Sequence, residues 1–287
     1  MRIRKLTIKS PEFPEVLLQI PDFPKQLFLL GDNLAGLMEK PRVAIVGSRR
    51  VSPYGKAVTA KLAGELARQG VVIVSCLALG VDAVAHSAAL EAEGKTIAVM
   101  ACGLDRIYPA TNRNLAKRIL EQGGALVSEY PEATEARREN FIARNRIVSG
   151  LCDGVLITEA AEKSGTLHTA NFALEQGREV MAVPGNITSS LSAGTNNLIK
   201  AGATPVTEAK DVLRAINIES TEPAQQELIA ANEEEHIILS LLKEGVLEGD
   251  LLLLQSKMDP ALFSQTLTML EISGRIKPIG NGHWTLQ

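Results

Sequence analysis

The chain has 287 residues, of which 45% are apolar and 22% are charged, and its formal net charge is −3 at pH 7. This length allows one large core and a second small domain, at roughly 100 to 200 residues per domain. The negative charge argues against a uniformly basic nucleic-acid binder but leaves room for a local basic patch. No apolar run reaches the roughly 20 residues that span a bilayer, and the N-terminus lacks a secretory signal, so we expect a cytoplasmic protein.

Residues 1–40 carry several prolines and no long periodic run, and we interpret them as an N-terminal lead-in packed on the following domain. Residues 41–216 alternate short, continuously apolar runs with segments of helical periodicity. Continuous apolar runs are typical of strands that are buried on both faces. The pattern predicts a Rossmann-like, doubly wound, mainly parallel α/β sheet. Its strands are expected at 43–47, 71–75, 96–101, 125–129, 154–159 and 179–185.

Residues 217–232 are acidic and predict a linker, and residues 233–287 predict a small winged helix domain. Three short helices are expected at 236–243, 249–255 and 260–273, followed by a hairpin that turns at Asn281-Gly282. From Glu233 onward there are eight acidic residues against four Lys or Arg. A duplex-reading helix needs the opposite charge, so this domain is interpreted as a protein-contact or regulatory module.

The cysteines Cys76, Cys102 and Cys152 are odd in number, widely spaced and set in apolar sequence. This pattern favours buried, reduced thiols over a disulfide or a metal site. No CxxC, HExxH, P-loop lysine or GxSxG motif is present, and we predict no metal and no cofactor. Glu129 and Glu159 end two strands, but nearby arginines make ion pairs more plausible than acid-base catalysis.

Ligands of an open parallel sheet bind beyond the carboxyl ends of its strands, where helix N-termini point their amides outward. Four loops at this edge carry similar anion-binding chemistry, namely backbone amides, hydroxyls and guanidiniums. The first strand runs into Gly47 but lacks the further glycines of a dinucleotide site, and arginines stand in their place. The residues singled out in the loops and adjoining helix starts are Gly47, Ser48, Arg49, Arg50, Lys56, Arg137, Arg138, Arg144, Asn145, Arg146, Lys163, Ser164, Gly165 and Thr166.

Helix geometry separates the two arginines of the Arg144-Asn145-Arg146 tripeptide. At about 100° per residue they fall on opposite flanks of the buried stripe. Arg144 is the better candidate for contact with a ligand. Arg146 is either a further ligand contact or the ion-pair partner of Glu129 or Glu159.

The motifs GSRRVSPYG, GVDAVAHSAALEAEGKTIAVMACGLDRIYPATN, SEYP, NFIARNRIVSGL, EAAEKSGTLHTANFALEQGREVMAVPGN and GTNNLIKAGA together resemble the DNA-processing protein A family, DprA/Smf. The resemblance spans roughly residues 12–213. It implies a Rossmann-like protein without established enzymatic activity that binds single-stranded DNA, dimerises and helps to load the RecA recombinase onto DNA in natural transformation. It assigns DNA contacts to Gly47, Ser48, Arg49, Lys56, Phe141, Arg144, Asn145, Lys163, Ser164, Gly165 and Thr166.

The chain departs from the family pattern at two positions of one motif. SCLALGVD has Cys76 and Leu79 where the family usually has glycine and arginine, so one basic contact is missing, and Arg50 or Arg137 is available to compensate. With Arg50 and Arg146 included, the predicted DNA-binding set has thirteen members. The alternative is a Rossmann-like nucleotide phosphoribohydrolase, to which SGTLHTANFALE bears a looser resemblance. The motif of that family has a glutamate shortly after its Gly-Thr pair. Here the next carboxylate after Thr166 is Glu175, over two helical turns away, which weakens this alternative.

Overall fold

The structure is a computed structural model that describes residues 2–218, 233–280 and 282–286. The chain divides into two compact units, Met1–Ser220 and Thr221–Gln287. The predicted acidic linker lies outside the described residues from position 219 onward, as does Asn281 of the predicted hairpin turn.

The first unit contains a nine-stranded sheet within the described residues, in the order β1-β2-β6-β5-β4-β3-β7-β8-β9. Its strands are β1 (Arg4–Thr7), β2 (Gln26–Leu30), β3 (Arg42–Gly47), β4 (Val72–Ser75), β5 (Thr96–Met100), β6 (Ala125–Ser128), β7 (Gly154–Glu159), β8 (Glu179–Ala182) and β9 (Thr204–Pro205). Strands β3 to β9 pair in parallel, whereas β1 and β2 form an antiparallel extension next to β6. This arrangement confirms the predicted fold class.

The strands in residues 1–40 and the short strand β9 were not anticipated from the sequence. In β2 buried and half-buried residues alternate, with Leu27 and Leu29 fully buried. Such alternation is typical of a strand near the rim of a sheet, but here it covers only five residues between Pro24 and Gly31. The first 40 residues therefore contribute two strands to the sheet as well as residues that pack in its core.

Helices cover both faces of the sheet, as a doubly wound fold requires. They are α1 (Leu34–Met38), α2 (Pro53–Arg68), α3 (Val81–Glu91), α4 (Arg113–Glu121), α5 (Arg138–Gly150), α6 (Leu167–Glu175), α7 (Ala193–Lys200) and α8 (Ala209–Ala215). Apolar residues of α5 and α6 share one core, and those of α2, α3 and α8 share another. The central strands β3 and β7 are buried along their whole length between the two layers.

The second unit has the predicted three helices and hairpin. Its elements are α9 (Glu233–Lys243), α10 (Gly249–Ser256), α11 (Pro260–Ile272), β10 (Ile276–Gly280) and β11 (His283–Leu286). A separate apolar core, with Ile238, Leu252, Phe263 and Leu270 among its members, holds these elements together. In the portions of the chain covered by the structure, no helix is both long and apolar enough to cross a membrane.

Candidate nucleic-acid interface

A cleft of about 890 Å³ lies where β3 and β7 end and α5 begins. We call it the strand-end cleft. Eleven of the thirteen predicted DNA-binding residues line it, whereas Lys56 and Arg146 do not. The eleven are Gly47, Ser48, Arg49, Arg50, Phe141, Arg144, Asn145, Lys163, Ser164, Gly165 and Thr166.

The loop after β3 is held tightly against its neighbours. The backbone N–H of Ser48 donates to the Glu159 carbonyl at 2.8 Å, and that of Val81 donates to the Ser48 carbonyl at 3.1 Å. A Cβ on Gly47 would lie 2.6 Å from Val81 Cγ2, and one on Gly80, where φ is +79°, would collide with the Ser48 carbonyl oxygen. The two glycines thus allow a backbone approach that fixes the loop from which the exposed side chains of Arg49 and Arg50 project.

The loop after β7 is tied to the first loop by hydroxyl groups. Thr166 Oγ1 donates to the Gly47 carbonyl at 3.0 Å, and the Thr166 N–H donates to Ser164 Oγ at 3.2 Å. Gly165 leaves open space where a side chain would otherwise stand. Lys163 is exposed on this loop, so the backbone that these contacts fix places a cation at the cleft.

An aromatic side chain stands between the cations of the cleft. The Phe141 ring centroid lies 5.1 Å from the Arg49 guanidinium carbon and 5.9 Å from that of Arg144. The Phe141 ring also lies next to Tyr108, which is not part of the cleft lining, with ring centroids 5.5 Å apart and planes tilted by 49°. Tyr108 is 51% exposed and was missed by the sequence analysis. Its only sequence signal is a large aromatic residue in the polar loop LDRIYPATN.

Arg144, the predicted candidate for ligand contact, lines the cleft, but it is only 3% exposed. Its Nη1 donates to the carbonyl of Cys76 at 3.1 Å and to that of Val99, and its Nε donates to Asn145 Oδ1 at 3.3 Å. No carboxylate lies within 4 Å of it among the described residues. The buried positive charge is therefore stabilised by carbonyl dipoles.

Asp82 and Cys76 lie together at the floor of the cleft. Asp82 Oδ2 accepts from the Ala78 N–H at 3.3 Å, and burial raises the pKa of this carboxyl although Arg144 opposes the shift. Burial likewise raises the pKa of Cys76 to about 12, so its thiol stays protonated. All three cysteines are buried, as the apolar sequence around them predicts. Asp82 lies in the first turn of α3, whose N-cap is Gly80.

Arg146 points away from the cleft and forms ion pairs. Its Nη2 lies 2.8 and 2.9 Å from the two Glu129 carboxylate oxygens, and its Nε lies 2.8 Å from Asp22 Oδ2. Of the two roles considered for Arg146, the structure therefore shows the ion pair with Glu129. This role agrees with the position of Arg146 on the flank of α5 opposite to Arg144. Glu159 instead accepts from the Ser52 N–H at 3.0 Å and from the Ser52 hydroxyl, next to the start of α2.

Lys56 is exposed on α2 and lies outside the lining of the cleft. Arg138 does line the cleft from the first turn of α5, although it was not among the thirteen predicted residues. Arg137, considered as a substitute for the missing basic contact, does not line it. The exposed cations of the cleft are Arg49, Arg50, Arg138 and Lys163.

The charge of the lining is strongly asymmetric. Asp82 is its single carboxylate, and it is buried, whereas four Lys or Arg side chains are exposed there. In the ranges that the structure covers, no group of three His, Cys, Asp or Glu residues is placed to hold a metal ion. Glu175, the carboxylate considered for the phosphoribohydrolase alternative, does not line the cleft. The arrangement suits an extended polyanion with stacking groups better than a hydrolytic reaction.

Comparisons with known proteins agree with this assignment. Residues 4–217 match the family described as DNA recombination-mediator protein A, and residues 222–282 match the DprA winged helix domain. DNA processing protein DprA of Bacillus subtilis is 42% identical over 224 residues, which cover 77% of this chain and 75% of that protein. Protein Smf of Escherichia coli is 48% identical over 204 residues, which cover 71% of this chain and 54% of that protein.

Two solved structures are similar over most of the first unit. DNA processing protein A from Streptococcus pneumoniae aligns with a TM-score of 0.70 at 42% identity, covering 75% of this chain and 74% of that one. DNA processing protein A from Helicobacter pylori, whose structure gave insight into its single-stranded DNA binding mode, aligns with a TM-score of 0.67 at 35% identity, covering 75% and 97%. The fold, the strand-end cleft and these matches together show that the chain belongs to the DNA recombination-mediator protein A (DprA/Smf) family.

Proposed function

We propose that this protein binds single-stranded DNA in the strand-end cleft and acts as a recombination mediator rather than as an enzyme. The observation that carries the proposal is that exposed cations on two loops and the aromatic ring of Phe141 at the start of α5 meet in one cleft. Proteins that bind single strands without reading sequence combine these two features. The family and the single-stranded DNA binding mode of the H. pylori relative support the same function.

The geometry favours a single strand over a duplex for a physical reason. Phe141 and Tyr108 can stack only on bases whose faces are accessible, and duplex bases are stacked on one another. Arg49, Arg50 and Lys163 stand on two different loops and can neutralise successive phosphates of a flexible strand. A compact nucleotide would use fewer of these cations.

The test is a competition between a labelled 20-mer of thymidine and an unlabelled 20-base-pair duplex, measured by fluorescence anisotropy. We expect the single strand to bind and the duplex to compete weakly. Arg49→Glu should reduce the affinity at least tenfold, because it reverses a charge beside Phe141. Lys117→Glu, a reversal of a similarly exposed lysine on α4, is the matched control and should leave binding unchanged. Equal loss in both variants, or no binding by the unaltered protein, would refute the proposal.

We further propose that the protein works as a homodimer in the cytoplasm and helps to load the RecA recombinase onto single strands taken up during transformation. The family membership supports these properties. Light scattering should give twice the mass of the 30.8 kDa chain. RecA filament formation on strands coated with single-stranded DNA-binding protein should accelerate when the protein is added. A monomeric mass would contradict the dimer, and an unchanged lag would contradict the loading role.

A further inference from the structure

The winged helix unit has a groove of its own, which the proposed function does not use. The groove has a volume of about 430 Å³ and lies among the start of α10, one face of α11 and the start of β11. We call it the wing groove. Its floor includes Phe263 and Leu267, which are 6% and 7% exposed, together with Trp284.

Three carboxylates stand around this apolar floor. Glu248, Asp250 and Glu271 line the wing groove and are exposed, and within the part of the unit that the structure describes no Lys, Arg or His lines it. An apolar centre with a charged, solvent-accessible rim is the composition of a protein-protein contact site. The sign of the rim calls for a partner with positive charge.

The helix that reads DNA in many winged helix proteins, the third one, is α11 here. Glu271 is its single charged residue, and no Lys or Arg occurs between Pro260 and Ile272. Binding of a duplex depends on neutralisation of phosphates by cations, which this helix does not supply. Nucleic acid is therefore a poor match for the wing groove.

The floor of the wing groove is closely packed around Trp284. A Cβ on Gly249 would lie 2.6 Å from Trp284 Cζ3, so the glycine lets the indole ring lie directly against the backbone at the start of α10. The Gly249 N–H donates to the Gly282 carbonyl at 2.8 Å, and the Trp284 N–H donates to the Leu247 carbonyl at 2.8 Å. The indole Nε1 is buried and has no acceptor in the described part of the chain.

We propose that the wing groove binds a protein segment in which a large apolar side chain is flanked by Lys or Arg residues. The apolar side chain would cover Phe263, Leu267 and Trp284, and the flanking cations would meet the carboxylates at the rim. This surface lies in a different unit from the strand-end cleft, so the proposal stands independently of single-stranded DNA binding.

The experiment selects ligands for the full-length protein from a phage-displayed library of random 12-residue peptides and measures the best synthetic peptide by calorimetry. We expect selected peptides to share one aromatic or aliphatic residue with at least two Lys or Arg within three positions of it. Binding should shift the fluorescence of Trp284, the single tryptophan of the chain. The double variant Asp250→Lys/Glu271→Lys should reduce the binding affinity for the peptide about tenfold, because two carboxylates that attract its cations are replaced by ammonium groups that repel them.

The matched control is Glu244→Lys, which reverses an exposed carboxylate of the same unit outside the groove. It should leave the peptide affinity unchanged. Thr268→Arg places a long cation in the groove and should abolish binding, whereas the circular dichroism spectrum should not change. Selection of acidic peptides or of no common pattern, or equal affinity for the double variant and the control, would overturn the proposal. A duplex of 20 base pairs that bound and was displaced by the selected peptide would overturn it as well.

Discussion

The aromatic ring of Phe141 provides the most specific test of how the strand-end cleft holds DNA. We predict that Phe141→Leu weakens binding of a thymidine 20-mer, whereas Phe141→Tyr does not. Leucine keeps an apolar side chain of similar volume but removes the planar face. The pair of variants therefore separates stacking from simple hydrophobic contact.

The expected magnitude follows from the contacts of the ring. Stacking of a base on an aromatic side chain contributes about 1 to 3 kcal/mol. The contact of the ring with the Arg49 guanidinium, at 5.1 Å, is already present without DNA, so its loss is not counted as lost affinity. The loss of stacking alone predicts a loss of roughly 5- to 150-fold in affinity.

The assay is anisotropy of the labelled 20-mer at constant salt, with thermal unfolding of each variant as a check of the fold. Phe141 is half-buried, so the substitution by leucine should cost about 1 kcal/mol of stability and leave the protein folded at 25 °C. If Phe141→Leu binds as tightly as Phe141→Tyr, the ring does not stack on DNA and the aromatic part of the proposal is wrong.

Three further predictions concern other parts of the first unit. Lys163→Ala should weaken binding of the 20-mer more than Lys56→Ala in the same titration, because only Lys163 lines the cleft; the reverse order would restore the assignment of Lys56 from family resemblance. Arg146→Ala should lower the free energy of unfolding by about 2 to 4 kcal/mol in urea denaturation, because Glu129, whose side chain is 22% exposed, loses its cation. The DNA affinity of the folded variant should stay the same. Burial lowers the pKa of His86 to about 3 against about 6.5 in the unfolded chain, so below pH 6.5 the unfolded state binds a proton that the native state cannot take up. Stability should therefore fall by roughly 1.4 kcal/mol per pH unit as the pH drops from about 6.5 towards 3, and His86→Gln should lack this part of the slope in denaturation curves recorded between pH 4 and 7.

The central strands and the edge that binds a ligand could be predicted from the sequence because they depend on local signals. Runs such as Val43–Gly47 are apolar without alternation, and parallel strands place their following loops at one edge. Eleven residues predicted in this way line one cleft. The short strands β1 and β2 escaped prediction because their pattern is interrupted by prolines and because pairing with β6 is a long-range contact.

The roles of individual side chains were less accessible to sequence reasoning. Whether Arg144 reaches solvent depends on the carbonyl groups of Cys76, directly after β4, and of Val99, in β5, and neither contact has a sequence signal. Tyr108 comes next to Phe141 only through the tertiary fold. The helix positions of Arg144 and Arg146 did separate the two residues correctly, but the partner Asp22 lies 124 positions away in the chain.

The salt dependence of binding tests most directly whether the exposed cations of the strand-end cleft hold a single strand. The exposed cations of the cleft are Arg49, Arg50, Arg138 and Lys163. Each phosphate of a single strand that is neutralised contributes about −0.7 to the slope of the logarithm of the binding constant against the logarithm of the salt concentration. Neutralisation of four phosphates therefore predicts a slope of about −3. The affinity for the thymidine 20-mer should then fall roughly 50-fold between 50 and 200 mM salt, and Arg49→Gln/Lys163→Gln should halve the slope. A flat response, or a slope that the double substitution leaves unchanged, would contradict binding in this cleft.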